Sequence, residues 1–326
     1  TIVVPFRNEK ENLPNLLHSI SLLNYPKELV EVILVDDDSE EVFSGQDLVF
    51  SLKVIKNERK SNSPKKDAIE TAIQVAKNDW IITTDADCLV QKDWLTTFDQ
   101  YIQEKEVEMV ASGVCYVPKS GFLSAFQNLD FLSLQGATIG SFGINQPFMC
   151  NGANFAYSRA FFKELNGFQG NETIASGDDV FLLQKAVSIA PNKVGFLLAK
   201  ESIVATKPVA TWTDLFQQRV RWASKSTGYS SIYGKFLAIV VFGGNLVWIV
   251  SFLLWLTSVL DQNIFMLFVA LKFLIDFILI YKTANFFESK LQYVLASSLL
   301  YPFFCVSVVV YSLFGNYSWK GRSFRK

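Results

Sequence analysis

From Phe236 to Leu260 the chain carries no charged residue, and nothing else in its 326 residues restricts the fold so firmly. A hydrocarbon core takes roughly 20 residues of helix to cross, so this stretch predicts a transmembrane helix. Ile264 to Tyr281 is shorter and holds Lys272 and Asp276, each costing roughly 2.5 to 3.5 kcal/mol at a bilayer centre on insertion scales. Their i, i+4 spacing lets them pair on one helix face, which retains a second span. Leu291 to Phe314 is a third apolar run, interrupted by Pro302, a residue that membrane helices tolerate where neighbours re-satisfy the freed carbonyl. The alternative, three buried helices of a soluble domain, is disfavoured by the length of the first run.

Charge divides at the same place. From Lys235 onward eight basic residues (Lys235, Lys272, Lys282, Lys290, Lys320, Arg322, Arg325, Lys326) face three acidic ones (Asp261, Asp276, Glu288), net +5 against −6 for the remainder. The whole-chain charge of −1 is therefore a cancellation, and it points away from a nucleic-acid partner. We divide the chain into a soluble region, 1–234, and a membrane region, 235–326. Three spans would put the basic tail WKGRSFRK opposite residues 1 to 235, yet both flanks are basic and the positive-inside rule wants both in the cytoplasm. One segment is therefore a candidate for a re-entrant or interfacial helix. Residue 1 is Thr, already inside an apolar run, and we read the chain as a fragment. The cysteines Cys88, Cys115, Cys150 and Cys305 form no CxxC pair and the sole histidine is His18. That excludes structural zinc, a disulfide scaffold and His-based triads, and leaves His18 a structural residue on a helix.

Residues 1 to about 200 read as alternating strands and helices. TIVVP is a strand; Leu13, Leu16, Leu17, Ile20 and Leu23 then recur at helical spacing, with Asn12 as N-cap and Pro14 in the first turn. VEVILV ends abruptly in Asp36, Asp37 and Asp38. LKVIK precedes a helix carrying Ala68, Ile69, Ala72, Ile73 and Ala76, and WIITT then ends in Asp85 and Asp87. This alternation predicts a parallel α/β sheet covered on both faces.

Ligands of open α/β sheets bind at the carboxyl ends of the strands, so the two acidic strand ends are expected on one rim. Asp85-Ala86-Asp87 is a DxD motif. On extended chain residues i and i+2 project to the same side, so both carboxylates can approach one hard cation, Mg²⁺ or Mn²⁺, alongside substrate phosphates. One carboxylate of the 36–38 cluster suits a ribose or base edge; the bland reading is a solvated turn with Ser39. Lys65 and Lys66 suit a diphosphate or simply a solvated helix start. Ser176-Gly177-Asp178-Asp179 opens an amphipathic helix, either as a cap at the favourable dipole end or as a general base for an acceptor hydroxyl. Gln217-Gln218-Arg219-Val220-Arg221-Trp222, just before the first apolar run, is either an interfacial belt or chemistry, with an Arg on diphosphate charge and a Trp stacking a sugar ring.

The order VVPFRNEKENL, VDDDS, PKKDAIETA, TTDADC, CNGANFAYSR, SGDDVFLLQKA, QRVRW, followed by apolar helices, resembles the membrane-associated family 2 glycosyltransferases, which include cellulose, chitin and hyaluronan synthases. The resemblance covers roughly residues 1 to 225 and implies a GT-A fold: a Rossmann-like nucleotide-binding half joined to an acceptor-binding half, then transmembrane helices. It implies that Asp36 and Asp37 hold the uridine of a UDP-sugar, with Pro5 and Glu9 in the adjoining wall and Lys65 near base or phosphates. Asp87 chiefly, with Asp85, would carry the Mg²⁺ or Mn²⁺, and Asp85 would reach the ribose or the metal. Asp179 would be the catalytic base with Asp178 beside it. Gln218, Arg221 and Trp222 match QxxRW, which serves the diphosphate site and the acceptor entrance, and Asn151 and Gly152 lie where the family shapes its acceptor site. Asp38 departs from the glycine common after the Asp pair.

The resemblance further implies an inverting transfer to a lipid-linked or glycan acceptor by an integral protein of the inner or plasma membrane, its catalytic domain cytoplasmic. Processive polysaccharide synthesis is the alternative within the family; about three spans favour single transfer. Outside it stand a nucleotidyltransferase, which QRVRW before a span argues against, and a silent membrane scaffold or sugar-binding module, which the intact acidic residues argue against.

Overall fold

The apolar, β-branched runs form strands and the helically spaced runs form helices, in the order β1 (Ile2–Phe6), α1 (Leu13–Ser21), β2 (Glu31–Asp36), β3 (Ser51–Lys56), α2 (Pro64–Val75) and β4 (Trp80–Thr83). The structure, a computed structural model, describes residues 1–43, 49–170, 177–225, 228–315, 317–319 and 322–324. It divides into two units, Thr1–Val117 with Ser141–Lys207, and Pro118–Gly140 with Pro208–Lys326.

In the first unit β1 pairs in parallel with both β2 and β4, and β2 with β3. α1 buries Leu13, Leu16, Leu17 and Ile20, four of the five its spacing predicts; Leu23 is buried too but lies past the end of the helix. α2 contributes Ala68, Ile69 and Ala72 to a core shared with Val3, Ile33 and Val35. β3 is one edge strand; its residues are half-buried or exposed, and Lys53 and Lys56 keep the edge charged.

The sheet is mixed, which corrects the parallel arrangement expected from the alternation. β6 (Met109–Ser112), β8 (Phe155–Ser158) and β9 (Val194–Leu197) complete seven strands in the order β3-β2-β1-β4-β8-β6-β9. β8 runs antiparallel to both β4 and β6. The strict alternation that argues for parallel pairing ends at β4, and β8, reached through the helix Phe122–Gly143 and the loop at 144–154, enters the sheet from the opposite end. Phe155, the first residue of β8, lies opposite Thr83, the last of β4. The start of β8 therefore reaches the rim on which β1, β2 and β4 end. A smaller sheet joins β5 (Cys88–Leu89), β10 (Val204–Thr206) and β7 (Val114–Tyr116) in that order.

Asn12 does occupy the N-cap position of α1, but its side chain caps nothing. It donates instead to Glu9 Oε2 at 2.5 Å and accepts from Lys207 Nζ at 2.6 Å. Asp38 has φ 64°, which accounts for the glycine common at this place in the resembling family; a short polar side chain is among the few that tolerate the left-handed region.

The second unit holds α7 (Trp212–Ser224) and three long helices, α8 (Ile232–Leu256), α9 (Gln262–Phe286) and α10 (Val294–Phe314), each long and apolar enough to cross a membrane. α8 starts before the uncharged stretch because Ser231 Oγ accepts from Gly234 N–H at 3.0 Å, a cap that takes Lys235 into the first turn. α9 is 25 residues long, more than its apolar run. Asp261 caps it through Asn263 N–H at 2.8 Å, and Lys272 pairs with Asp276 at 2.6 Å as the i, i+4 spacing predicts. Pro302 sits inside α10. Tyr317–Trp319 and Arg322–Phe324 pair as short antiparallel strands. Lys320, Gly321, Arg325 and Lys326 of the basic tail lie outside the described residues.

Candidate active site

Parallel pairing with Phe6 opposite Asp36 and Val3 opposite Thr83 brings both acidic strand ends to one rim of the first unit, as expected. After β2 the three aspartates diverge. Asp36 Oδ1 accepts from Ser39 N–H at 3.0 Å and from its hydroxyl at 2.6 Å. Asp37 is buried and accepts from Asn57 Nδ2 at 2.8 Å and Arg59 Nη1 at 3.4 Å. Asp38 is exposed, and Arg7 Nη1 donates to the carbonyls of Asp37 and Asp38, both at 2.7 Å. Arg59 also pairs through Nε with buried Asp67 at 3.2 Å, which further accepts from the N–H groups of Lys60 and Ser61, both at 3.0 Å. The acidic turn is a braced wall. Pro5 lies within β1 opposite Val35, next to this turn, and Glu9 precedes α1.

The DxD segment is a turn, not extended chain, because Asp85 C=O accepts from Cys88 N–H at 3.1 Å. The same-side argument for i and i+2 therefore does not apply. What organises Asp85 is Lys65, in the first turn of α2, whose Nζ donates to Asp85 Oδ1 at 2.6 Å and lies 3.7 Å from Asp178 Oδ2. Asp178 and Asp179 occupy the first turn of α6 (Asp178–Ile189), behind Gly177, which adopts φ 84°. Ser176 lies outside the described residues. Asp178 is buried. Both oxygens of half-buried Asp179 are oriented by backbone: Oδ2 accepts from Gly152 N–H at 2.9 Å and Oδ1 from Val180 N–H at 2.8 Å. Burial opposes the Lys65 charge, but Asp178, Asp85 and Asp179 outweigh it and push its pKa above the ordinary lysine range.

Gly152 closes this cluster. Its carbonyl accepts from Thr83 Oγ1 at 2.7 Å. A Cβ there would lie 3.1 Å from Asp178 Oδ2, 3.3 Å from Lys65 Nζ and 3.4 Å from Asp179 Cβ. Asn151 Oδ1 accepts from Ala153 N–H at 3.3 Å, which fixes the loop that carries them. Gly152→Ala should shift the ammonium and carboxylates by a few tenths of an ångström, and activity should fall about tenfold or more while the thermal midpoint scarcely moves. Paired kinetic and thermal unfolding measurements check this.

Asp85 and Asp87 offer hard oxygen donors, as Mg²⁺ or Mn²⁺ requires. Cys88 beside them does not compete: burial, Asp85 and Asp87 push its thiol well above the ordinary range, so it stays neutral. Among the described residues no group of three or more His, Cys, Asp or Glu gathers as a metal cage. The donors present fit an ion that would take its remaining ligands from a phosphate substrate.

Gln218, Arg221 and Trp222 lie half-buried on α7 in the second unit. Of the two residues between Gln218 and Arg221, Arg219 is buried against Asp130 of α4 (Phe122–Gly143) at 2.5 Å.

The profile described as "Glycosyl transferase family 2" matches residues 1–165, the half of the chain that holds the braced acidic turn, Lys65, the DxD turn and Gly152. The chain belongs to glycosyl transferase family 2. Among family relatives, glycosyltransferase AglE of Haloferax volcanii is 24% identical over 140 residues, 41% of this chain and 45% of that protein. Glycosyltransferase GlyG of Streptococcus pneumoniae is 30% identical over 117 residues, 34% of this chain and 37% of that protein. The chain thus spans less than half the length of these relatives. The structure of mannosyltransferase PcManGT from Pyrobaculum calidifontis, in complex with GDP-Man and Mn²⁺, aligns over 96% of this chain and 86% of that one with a TM-score of 0.52 at 15% identity. That likeness is one of fold, and the first unit is the GT-A, Rossmann-like domain of family 2, with its mixed sheet.

Sequence reasoning missed Arg7, Asn57, Arg59 and Asp67 in this family 2 domain, and Arg219 with Asp130 in the helical unit. The one signal for the first group was arithmetic: a rim that buries Asp37 and Asp67 needs a cation nearby.

Proposed function

We propose that the chain is an inverting glycosyltransferase that moves a sugar from a nucleotide-diphosphate donor, a UDP-sugar, to a hydroxyl of a lipid-linked or glycan acceptor at a membrane. The observation that carries this reading is the convergence of Lys65, Asp85, Gly152, Asp178 and Asp179 on the rim of the first unit. In this reading Asp36 and Asp37 hold the uridine beside Pro5 and Glu9, and Lys65 neutralises donor phosphate charge. The GDP-Man and Mn²⁺ named for PcManGT support a nucleotide-sugar donor and a divalent ion, which in this reading Asp85 and Asp87 would hold. When bound, the ion supplies positive charge to the departing diphosphate.

Asp179, its oxygens aimed by the Gly152 and Val180 N–H groups, takes the proton of the acceptor hydroxyl. The hydroxyl oxygen attacks the anomeric carbon as the bond to diphosphate breaks, and the electron pair leaves on the phosphate oxygen. One base suffices because no covalent intermediate forms, so the product configuration is inverted. Asn151 and Gly152 shape the acceptor side. Gln218, Arg221 and Trp222 enter through the QxxRW resemblance alone, which implies roles at the diphosphate for Gln218 and Arg221 and at the acceptor sugar for Trp222. The three apolar helices hold the enzyme in an inner or plasma membrane, with the domain before residue 235 in the cytoplasm.

The test is incubation of detergent-solubilised protein with a panel of nucleotide sugars and Mn²⁺ or Mg²⁺. Nucleoside diphosphate release and a product of one added sugar are expected; a ladder of products would indicate polymerisation, and pyrophosphate release from nucleoside triphosphate plus sugar phosphate a nucleotidyltransferase. Absence of both turnover and binding with every donor would overturn the reading, as would retention of the donor's anomeric configuration. Asp87→Ala should weaken Mn²⁺-dependent donor binding about tenfold or more and leave metal-free nucleotide binding near its original level, measured by calorimetry with and without chelator.

A further inference from the structure

QxxRW leaves its two middle positions open, and here they are Arg219 and Val220, both buried. Arg219 makes three contacts at once. Its Nε donates to Asp130 Oδ2 at 2.5 Å, with only 6% and 5% of the two side chains exposed. Its Nη1 donates to Gln218 Oε1. The face of its guanidinium lies 4.3 Å from the centre of the Trp222 ring. Phe131, the neighbour of Asp130, also packs on Trp222, with ring centres 6.2 Å apart.

α4 is held to the start of this segment independently, because Gln127 accepts from Val209 N–H and donates to its C=O, both at 3.1 Å. A buried ion pair is a poor source of stability compared with apolar residues of equal volume, so its retention calls for another purpose. The planar fork of arginine supplies one: only it can point one edge at Asp130, another at Gln218 and its face at Trp222, which a lysine ammonium cannot do together.

We propose that Asp130 and Arg219 are a positioning pair that sets the orientation of Gln218 and Trp222. The two motif side chains then act from rotamers fixed by a residue the motif does not specify. This rests on the reading of QxxRW as part of the donor and acceptor machinery.

The test uses the full chain in detergent with its seven tryptophans replaced by fluorotryptophan, the Trp222 fluorine resonance being identified by its loss in Trp222→Phe. Arg219→Lys keeps the charge and loses the fork. The double variant Asp130→Asn with Arg219→Gln removes both charges and so leaves neither buried alone. In both, the Trp222 resonance should move while the others stay. The double variant should unfold at the wild-type temperature, yet its acceptor KM should rise about tenfold. A Trp222 resonance unmoved in both variants, or a double variant with wild-type resonance and wild-type kinetics, would overturn the proposal and leave the pair a purely structural one. Wild-type protein without transfer would count against the transferase reading, and the fluorine spectra would still decide the positioning role.

Discussion

Asp179→Asn should lower the transfer rate by about 10² to 10⁴, the usual worth of a positioned general base, while donor affinity stays near the wild-type value. The substitution is close to isosteric, but an amide has one acceptor oxygen where the carboxylate has two. Either Gly152 N–H or Val180 N–H, which now donate to separate oxygens of Asp179, will then face an NH₂ group. A lost buried acceptor of this kind costs about 1 to 3 kcal/mol, so a lower thermal midpoint should accompany the lost rate. Single-turnover kinetics beside donor titration separates the two effects. Full activity in this variant would move the base to Asp178 or elsewhere, although Asp178 is buried 3.7 Å from the Lys65 ammonium and is placed as its counter-ion.

Lys65→Gln should lower transfer by about 10² to 10³, comparable to removing one preorganised donor from developing negative charge. The loss should appear in donor binding as well as in rate, because Asp85, Asp178 and Asp179 would stand without the ammonium that now joins them. The pH dependence has a definite sign. Folding raises the Lys65 pKa, so its stabilising contribution is complete below the ordinary lysine value of about 10.4 and is lost only as pH climbs through the raised one. The stability difference between wild type and Lys65→Gln should therefore be flat from about pH 6 to 9. A slope in chemical denaturation across that window would show that Lys65 is not held charged.

The parts of this chain that sequence reasoning located are those whose cause is local. VILV and WIIT are apolar runs with acids next in line, so parallel pairing alone puts Asp36 and Asp85 on one rim. The geometry of DxD was misjudged because a turn closed by Cys88 N–H looks the same, in letters, as extended chain. Lys65, Gly152 and Asp178 meet across separations of dozens of residues, and neither periodicity nor spacing carries that information; the motif order did. Arg59 was hidden in a charge-rich stretch that reads as solvated surface, yet it braces Asp37 and Asp67. Arg219 was hidden as one of two arginines beside a tryptophan, with no local hint of Asp130 eighty-nine residues earlier. The apolar helices were evident from length, and the starts of the first two shifted because Ser231 and Asp261 cap ahead of the apolar runs.

The reversed direction of β8 bears on how the protein is made. A growing chain carries both acidic strand ends by residue 87, long before Asn151, Gly152 and the paired carboxylates at 178 and 179 emerge. Since β8 inserts between β4 and β6 with its first residue beside Thr83, the same insertion that completes the centre of the sheet delivers Gly152 to Asp179. Contacts this distant in sequence form late and slowly. A nascent or truncated chain that ends before β8 therefore carries the acidic strand ends but lacks Gly152 and the paired carboxylates, and in the proposed reaction it gains its base in the step that closes its sheet.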